Sequence, residues 1–155
     1  MIVYYLDASV WVKRYYQEDG TSWVQGLFIP RQVLACSSLG MIEVMATLSR
    51  KRKALEINLS QFKLKTQELE DDWKHFIQIQ MTDEIVHVAK ELTKKLALRG
   101  SDSVHLSSVL LLQRHFSKKI EQLVMVTSDY ELKSAAKTLR LDVIDPTEQI
   151  DMNKS

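Results

Sequence analysis

The chain has 155 residues, a length that suits one compact domain with a single core. Its 21 Lys and Arg residues against 20 Asp and Glu residues give a formal charge of +1, so net charge points neither to nucleic acid nor to membrane. Cys36 is the only cysteine, which excludes an intrachain disulfide, and no apolar run approaches the roughly 20 residues that span a bilayer. We expect a cytoplasmic protein that is not associated with membranes.

Strand and helix signals alternate along the chain. Short apolar or β-branched runs predict strands at residues 2–6, 32–38, 76–81, 122–127 and 141–144. Helical patterns lie between them, and their predicted N-caps are Ser9, Ser38, Ser60, Thr82, Ser101 and Ser128. Ser128 with Glu131 forms an S-x-x-E capping box, and Gly100 is expected to end the helix before Ser101. This alternation implies a parallel sheet with helices on both faces.

Four carboxylates stand at unusual positions. Asp7 follows the first strand and Asp129 follows the strand at 122–127, whereas Asp102 opens a very apolar helix and Glu43 interrupts the apolar run "LGMIEVMATL". If the first strand and the strand at 122–127 are neighbours, their carboxyl ends lie only about 5 Å apart, where ligands of parallel sheets bind. Two of these acids could be placed for structural reasons alone. The helix dipole favours Asp102 by roughly 0.3–1 kcal/mol, and Glu43 could reach water at the edge of its helix.

Four carboxylates without a cluster of cysteine or histidine make an all-oxygen site. Such a site selects Mg²⁺ or Mn²⁺ over zinc, and Mg²⁺ usually binds one or two carboxylates together with substrate phosphate oxygens. The predicted substrate is therefore a phosphodiester, attacked by a water whose pKa the metal lowers. The pattern does not decide between one ion and two.

Four stretches occur in order from Tyr4 to Pro146: "YYLDASVWVKRYYQEDG", "SSLGMIEVMATLSR", "LRGSDSVHLSSVLLL" and "VMVTSDYELKSAAKTLRLDVIDP". Together they resemble a PIN domain of the VapC toxin type. Its metal-binding acids fall on Asp7, Glu43, Asp102 and Asp129. One departure is "DSVHLSSV", because similar proteins often have D-A-x-H-L-A-x-A there.

This resemblance implies a three-layer α/β fold with a mostly parallel central sheet flanked by helices. It implies a Mg²⁺- or Mn²⁺-dependent endoribonuclease, a cognate antitoxin encoded beside it, and a homodimer. We expect the nuclease domain to cover residues 1–146 and a polar tail to cover residues 147–155.

Four further residues are candidates for supporting the acids. Ser9 could hydrogen-bond a metal-bound water or the phosphate, or it could simply cap its helix. Thr127 and Ser128 precede Asp129 and could orient a carboxylate, although the capping box is the preferred role for Ser128. His105 lies one turn after Asp102 and could pair with it, or it could be a packed core histidine.

RNA binding would require positive charge near the acids. The candidate cations lie in "VKRYY" and "SRKRK", and they are Lys13, Arg14, Arg50, Lys51, Arg52 and Lys53. Cations hold phosphates while aromatic rings stack on unpaired bases. These residues could equally be solvated helix ends.

Two alternative functions remain open on sequence. One is a PIN-like module that binds RNA or protein without cutting it, and the other is the same metal chemistry directed at DNA or phosphate monoesters. An apolar stretch in the N-terminal half is a candidate antitoxin surface, with part of it expected in the core: Trp11, Tyr15, Tyr16, Trp23, Leu27 and Phe28.

Overall fold

The computed structural model describes residues 1–149. Its five strands are β1 (Ile2–Leu6), β2 (Val33–Ser37), β3 (Ile77–Ile79), β4 (Gln122–Val126) and β5 (Asp142–Ile144). They form one sheet in the order β3-β2-β1-β4-β5, and every neighbouring pair is parallel. The predicted α/β class and all five predicted strands are confirmed, with shifts of one or two residues at several ends.

Helices connect the strands in chain order. They are α1 (Ala8–Trp11), α2 (Thr21–Gln25), α3 (Ser38–Lys53), α4 (Leu59–Trp73), α5 (Asp83–Leu96), α6 (Gly100–Phe116) and α7 (Tyr130–Thr138). A 3₁₀ helix, Val12–Arg14, continues α1, and a second one, Pro146–Glu148, follows β5. The second 3₁₀ helix crosses the predicted boundary between domain and tail, and residues 150–155 of that tail lie outside the described part of the chain.

The central strands are covered on both faces. Residues 123–126 of β4 are all buried, and since successive side chains of a strand point to opposite faces, helices must pack on each side of the sheet. α6 contacts β2 and β4, whereas α3 contacts β2 together with α1 and α4. This arrangement gives the three layers that the resemblance implies.

Five of the six predicted N-caps are wrong, and only Thr82 is confirmed. The N-caps whose side chains accept a backbone hydrogen bond are Asp7, Ser37, Asn58, Thr82 and Asp129, for α1, α3, α4, α5 and α7. In four of the five wrong cases the observed cap lies one or two residues before the predicted serine, and Asp129 lies one residue after Ser128. At α1, α3, α4 and α7 the reason is that an acid, an amide or another hydroxyl near the serine already occupies the extended position that a cap requires.

The start of α6 also differs from the prediction. Ala97, with φ of 51°, follows the last residue of α5, and Gly100 is the first residue of α6 instead of the stop before it. Arg99 occupies the N-cap position of α6 and makes no side-chain cap bond. Its side chain therefore does not hydrogen-bond the free N–H groups at the start of this helix.

Most of the apolar stretch proposed as an antitoxin surface belongs to the core. Four of its six members are buried: Trp11, Tyr15, Leu27 and Phe28. Trp11 stacks on Phe76, with ring centroids 4.5 Å apart, so the stretch is absorbed by packing against the end of α4. Tyr16 and Trp23 are half-buried. An exposed apolar surface is therefore a wrong prediction for those four residues, and antitoxin contact at Tyr16 and Trp23 stays a prediction.

None of the helices within residues 1–149 is long and apolar enough to cross a membrane.

Candidate active site

Asp7 lies where β1 ends and α1 begins. Its backbone N–H donates to the Val126 carbonyl of β4 (3.2 Å), so the two strand ends are adjacent and the condition stated from the sequence is met. The Asp7 carboxylate is buried, and it accepts hydrogen bonds from the hydroxyls of Ser9 (2.8 Å) and Thr127 (2.6 Å) and from the Val10 N–H (3.1 Å). Burial raises the pKa of Asp7, while the charge of His105 and these hydrogen bonds oppose the rise.

Asp129 lies three residues beyond the end of β4 and caps α7. Its Oδ1 accepts from the Leu132 N–H (2.9 Å), and its own N–H donates to Thr127 Oγ1 (3.0 Å). Thr127, fully buried, thus accepts from the backbone of Asp129 while donating to Asp7. One hydroxyl thereby fixes the spacing of two acids from neighbouring strands.

Asp102 lies in the first turn of α6 and is buried. Arg99 donates from Nε to Asp102 Oδ2 (3.0 Å) and from Nη2 to Asp129 Oδ2 (2.7 Å). Burial raises the pKa of Asp102, and the nearby Asp129 raises it further, against the lowering effect of Arg99. Asp102 and Asp129 are therefore paired through one guanidinium, which sequence reasoning missed.

Glu43 lies in the middle of α3 with its side chain 31% exposed. His105 Nε2 donates to its Oε1 (2.6 Å), and His105 Nδ1 is hydrogen-bonded to the Tyr5 hydroxyl (2.8 Å), which also accepts the Ser37 N–H (3.1 Å). Burial alone would lower the pKa of His105, but its contacts with Tyr5, Cys36 and Glu43 outweigh burial and raise it well above the usual value. His105 thus pairs with Glu43, and the predicted pairing with Asp102 is not observed.

An open cleft of about 620 Å³ lies against these elements. Its lining residues are Ala8, Ser9, Val12, Lys13, Glu18, Ile42, Glu43, Ala46, Thr47, Arg50, Ser128 and Asp129. Two of the four acids, Glu43 and Asp129, therefore face one space, and Asp7 is joined to it through Ser9. The volume of the cleft lies in the range of small-molecule sites in proteins.

Of the six candidate RNA-binding cations, the structure places two at the cleft. Lys13 is buried in its wall and pairs with Glu18 (3.0 Å), and Arg50 donates to Thr47 Oγ1 (3.0 Å). Arg14 instead pairs with the buried Asp72 (3.4 Å).

The remaining three cations lie at the C-terminal end of α3. Lys51 pairs with Glu56 (3.3 Å), and Arg52 lies over the Phe62 ring at 5.3 Å. Lys53 is exposed in the same last turn. None of the three is among the residues that line the cleft.

The supporting serines behave differently from the capping predictions. Ser9 donates to Asp7, and the Oγ of Ser128 is buried without a hydrogen-bond partner among residues 1–149. The capping box of Ser128 and Glu131 does not form, because Asp129 itself caps α7. Ser128 lines the cleft, but its Oγ is buried and is not presented to that space.

The donors fit a hard divalent cation in their chemistry. The carboxylates of Asp7, Glu43, Asp102 and Asp129 supply only oxygen ligands, which Mg²⁺ and Mn²⁺ prefer. Within residues 1–149, no three Asp, Glu, His or Cys side chains are grouped closely enough to hold a metal ion as they stand. Side-chain movement would therefore be needed to gather the four acids around one ion.

Comparison with known proteins places the chain in a family. Over 110 residues it is 31% identical to Ribonuclease VapC45 of Mycobacterium tuberculosis strain CDC 1551 / Oshkosh, a match covering 71% of this chain and 76% of that protein. The chain belongs to the VapC family of PIN-domain ribonucleases. Ribonuclease VapC49 of strain ATCC 25618 / H37Rv matches with the same identity and coverage. No protein-family model matches the chain.

Solved structures agree with this VapC assignment at the level of the fold. A toxin–antitoxin complex from Klebsiella pneumoniae superposes with a TM-score of 0.63 at 16% identity, covering 94% of this chain and 98% of that one. PAE2754 from Pyrobaculum aerophilum gives 0.63 at 19% identity, with coverage of 94% and 92%. VapBC2 from Rickettsia felis, bound to a promoter DNA fragment, gives 0.60 at 15% identity, with coverage of 92% and 98%.

Proposed function

We propose that this chain is a Mg²⁺- or Mn²⁺-dependent endoribonuclease that hydrolyses RNA phosphodiester bonds as the toxin of a toxin–antitoxin pair. Membership of the VapC family supports the ribonuclease activity, since the two curated relatives carry that name. The observation that carries the metal-dependent mechanism is the linkage of Asp7, Asp129 and Asp102, from three elements, through Thr127 and Arg99 at the carboxyl edge of the sheet.

Asp7, Glu43, Asp102 and Asp129 are the residues that would hold the metal. When bound, the metal would lower the pKa of a coordinated water and neutralise charge on the phosphate. The hydroxyls of Ser9 and Thr127 keep the Asp7 oxygens in fixed directions, so that this carboxylate needs little reorganisation. His105 anchors Glu43 from the core side in the same way.

The cleft supplies the means of holding RNA. Arg50 is exposed at its wall and is suited to pair with a phosphate, since a guanidinium contacts two phosphate oxygens at once. Lys13 lies in the same wall, but Glu18, which pairs with it and also lines the cleft, offsets its charge. If an RNA phosphate binds to Arg50, a neighbouring phosphodiester bond of the RNA would lie within reach of the acids.

The antitoxin is proposed on the same family basis. Two structural neighbours are described as VapBC complexes and a third as a toxin–antitoxin complex. Ile42 lines the cleft with its side chain 66% exposed, and an antitoxin segment could cover it while reaching the acids. We also propose the homodimer that the resemblance implies, to be checked by analytical ultracentrifugation.

The decisive test is cleavage of single-stranded RNA by the purified chain with Mg²⁺, with Mn²⁺ and with EDTA. We expect cleavage only with metal, and we expect Asp7→Asn and Asp129→Asn to lower the rate at least about 100-fold, because an amide keeps the shape but loses the charge that captures the metal. Glu131→Gln is the control, since Glu131 is an exposed acid two residues from Asp129 in α7.

Cleavage that persists in EDTA would contradict the metal mechanism. RNA binding without cleavage under every metal condition would instead support the non-cleaving module. Thermal unfolding of each variant, with and without Mn²⁺, separates loss of metal binding from loss of fold.

A further inference from the structure

Arg99 contacts two of the four acids at once. Its Nε and Nη2 reach the Oδ2 atoms of Asp102 (3.0 Å) and Asp129 (2.7 Å), which belong to different helices. A planar guanidinium is suited to such a bridge, because its N–H groups point in fixed directions. The bridge holds the start of α6 against the start of α7.

Arg99 approaches the two acids from the solvent side. The Arg99 side chain is 66% exposed, whereas those of Asp102 and Asp129 are 10% and 25% exposed. Arg99 does not cap α6, so no helix hydrogen bond is lost if its side chain swings outward. The guanidinium can therefore leave without disturbing the backbone of α6.

A divalent cation bound between these two acids would need the oxygens that Arg99 now contacts. It would also place positive charge next to the guanidinium, and like charges at a few ångströms repel. Arg99 and the metal therefore cannot both occupy this position favourably.

We propose that Arg99 is a displaceable cationic latch, which holds Asp102 and Asp129 together when no divalent cation is bound and is expelled to solvent when one binds them. This inference rests on the metal site of the proposed function. It means that the affinity for metal is set by competition within the chain as well as by the strength of the ligands.

The test is calorimetric titration of Mn²⁺ into the full chain and three variants, Arg99→Gln, Arg99→Lys and Arg114→Gln. We expect Arg99→Gln to bind Mn²⁺ about threefold to tenfold more tightly, because partly exposed ion pairs are each worth a few-fold in equilibrium constant. In EDTA the same variant should unfold at a lower temperature than the unaltered chain, because its acids lose their partner.

Arg114→Gln is the matched control. Arg114 lies near the other end of α6, its side chain is also 66% exposed, and it pairs with Glu84 at 3.8 Å. This variant removes the same charge from the same helix and should leave the Mn²⁺ affinity unchanged. An equal gain in both variants would overturn the latch, because it would show an effect of net charge alone.

Arg99→Lys separates the bridge from the charge. One ammonium group cannot reproduce the two-pronged contact, so this variant should resemble Arg99→Gln more than the unaltered chain. A lysine variant with unchanged affinity would overturn the bridging role.

A direct readout comes from the Arg99 Nε–H resonance in NMR spectra during titration with Mg²⁺, which is diamagnetic. We expect this resonance to move toward the position of a solvated arginine as Mg²⁺ saturates. A resonance that stays in place at saturation would show that Arg99 does not leave.

Failure of the latch and failure of the metal site are distinguishable. If neither the unaltered chain nor any variant binds Mn²⁺, the proposed metal site is wrong and the latch with it. If the unaltered chain binds Mn²⁺, Asp129→Asn does not, and Arg99→Gln matches the unaltered chain, only the latch is wrong.

Discussion

Thr127 is the residue that ties two site acids to each other. It is fully buried at the end of β4, where its hydroxyl donates to Asp7 and accepts from the N–H of Asp129. A buried hydroxyl with both functions satisfied is stabilising, and its loss leaves partners without hydrogen bonds. Thr127 is thus a residue that positions Asp7 and Asp129 relative to each other.

Thr127→Val is expected to raise the Mn²⁺ concentration needed for half-maximal RNA cleavage by about 10–100-fold, the usual cost of losing a group that orients a metal ligand. Valine keeps the volume but neither hydrogen bond. Thr127→Ser should restore most of the metal affinity. Thr138→Val is the control, because Thr138 bonds only a carbonyl of its own helix, that of Ser134 (3.0 Å). An unchanged metal dependence in Thr127→Val would show that Asp7 is positioned without this hydroxyl.

The four candidate acids could be selected from the sequence, whereas their hydrogen-bond partners could not. The reason is that the signals for the acids are local and the contacts with their partners are long-range. Asp7 and Asp129 follow strands, and Glu43 interrupts an apolar run, so their sequence context alone sets them apart. Tyr5 contacts His105 across 100 positions of the chain, and Arg99 contacts Asp129 across 30. No periodicity in the sequence encodes such pairings. For Arg99, the sequence offered one signal, its position three residues before Asp102, a spacing at which side chains on a helix are neighbours.

At the scale of helices and strands, two site acids also serve as helix caps. Asp7 and Asp129 lie at the turn from strand to helix, where the first free N–H groups of α1 and α7 need an acceptor. Capping fixes one oxygen of each carboxylate and leaves the other for Thr127 or Arg99. The neighbouring serines are therefore not needed as caps, which explains why the prediction of helix starts failed where the site is located.

A separate ion-paired group fastens the chain after β5 to α7. Lys133 donates to Asp145 (3.0 Å) and Glu148 (2.5 Å), and Asp145 also accepts from the N–H (2.9 Å) and hydroxyl (2.7 Å) of Thr147. Burial alone would raise the pKa of Asp145, but the bonds from Thr147 and Lys133 outweigh it and hold the pKa below its usual value.

This shift predicts how stability depends on pH. A carboxyl whose pKa is lower in the folded state stabilises the fold fully above its unfolded pKa of about 3.9, and that contribution disappears as the pH falls through the folded pKa. Asp145→Asn should therefore lower the free energy of unfolding by about 1–3 kcal/mol at pH 7, with the difference shrinking below about pH 4. Urea unfolding of both proteins between pH 7 and pH 3 measures this. A difference that stays constant over this range would mean that the charge of Asp145 is not responsible.

For the whole molecule, the alternation of strands and helices in the sequence was enough to predict a parallel α/β sheet. It did not predict the order of the strands in that sheet. The observed order, β3-β2-β1-β4-β5, places β1 and β4 side by side at the point where the connections change direction. That adjacency brings Asp7 and Asp129 to one edge, as such sheets do with their ligand sites. From the sequence, the adjacency of β1 and β4 could be given only as a condition, because strand order depends on how the helices pack over both faces of the sheet.

Near-neutral net charge also makes the position of each cation more important than the total. The formal charge is +1, so attraction of RNA must come from cations close to the cleft. Arg50 lines the cleft, whereas Arg52, two residues further along α3, lies over the Phe62 ring. The two arginines form a natural matched pair for testing where RNA binds.

We expect Arg50→Gln to weaken binding of a single-stranded RNA several-fold and to reduce the slope of log affinity against log salt by about 0.7, the value for one lost phosphate contact. Arg52→Gln should change neither quantity, although it removes the same charge. Both are measured by fluorescence anisotropy over a range of salt, in an Asp7→Asn background that prevents cleavage under the proposed mechanism. Equal losses in the two variants would mean that RNA responds to the charge of the whole α3 terminus. A loss confined to Arg52→Gln would place the RNA path away from the cleft that Glu43 and Asp129 line.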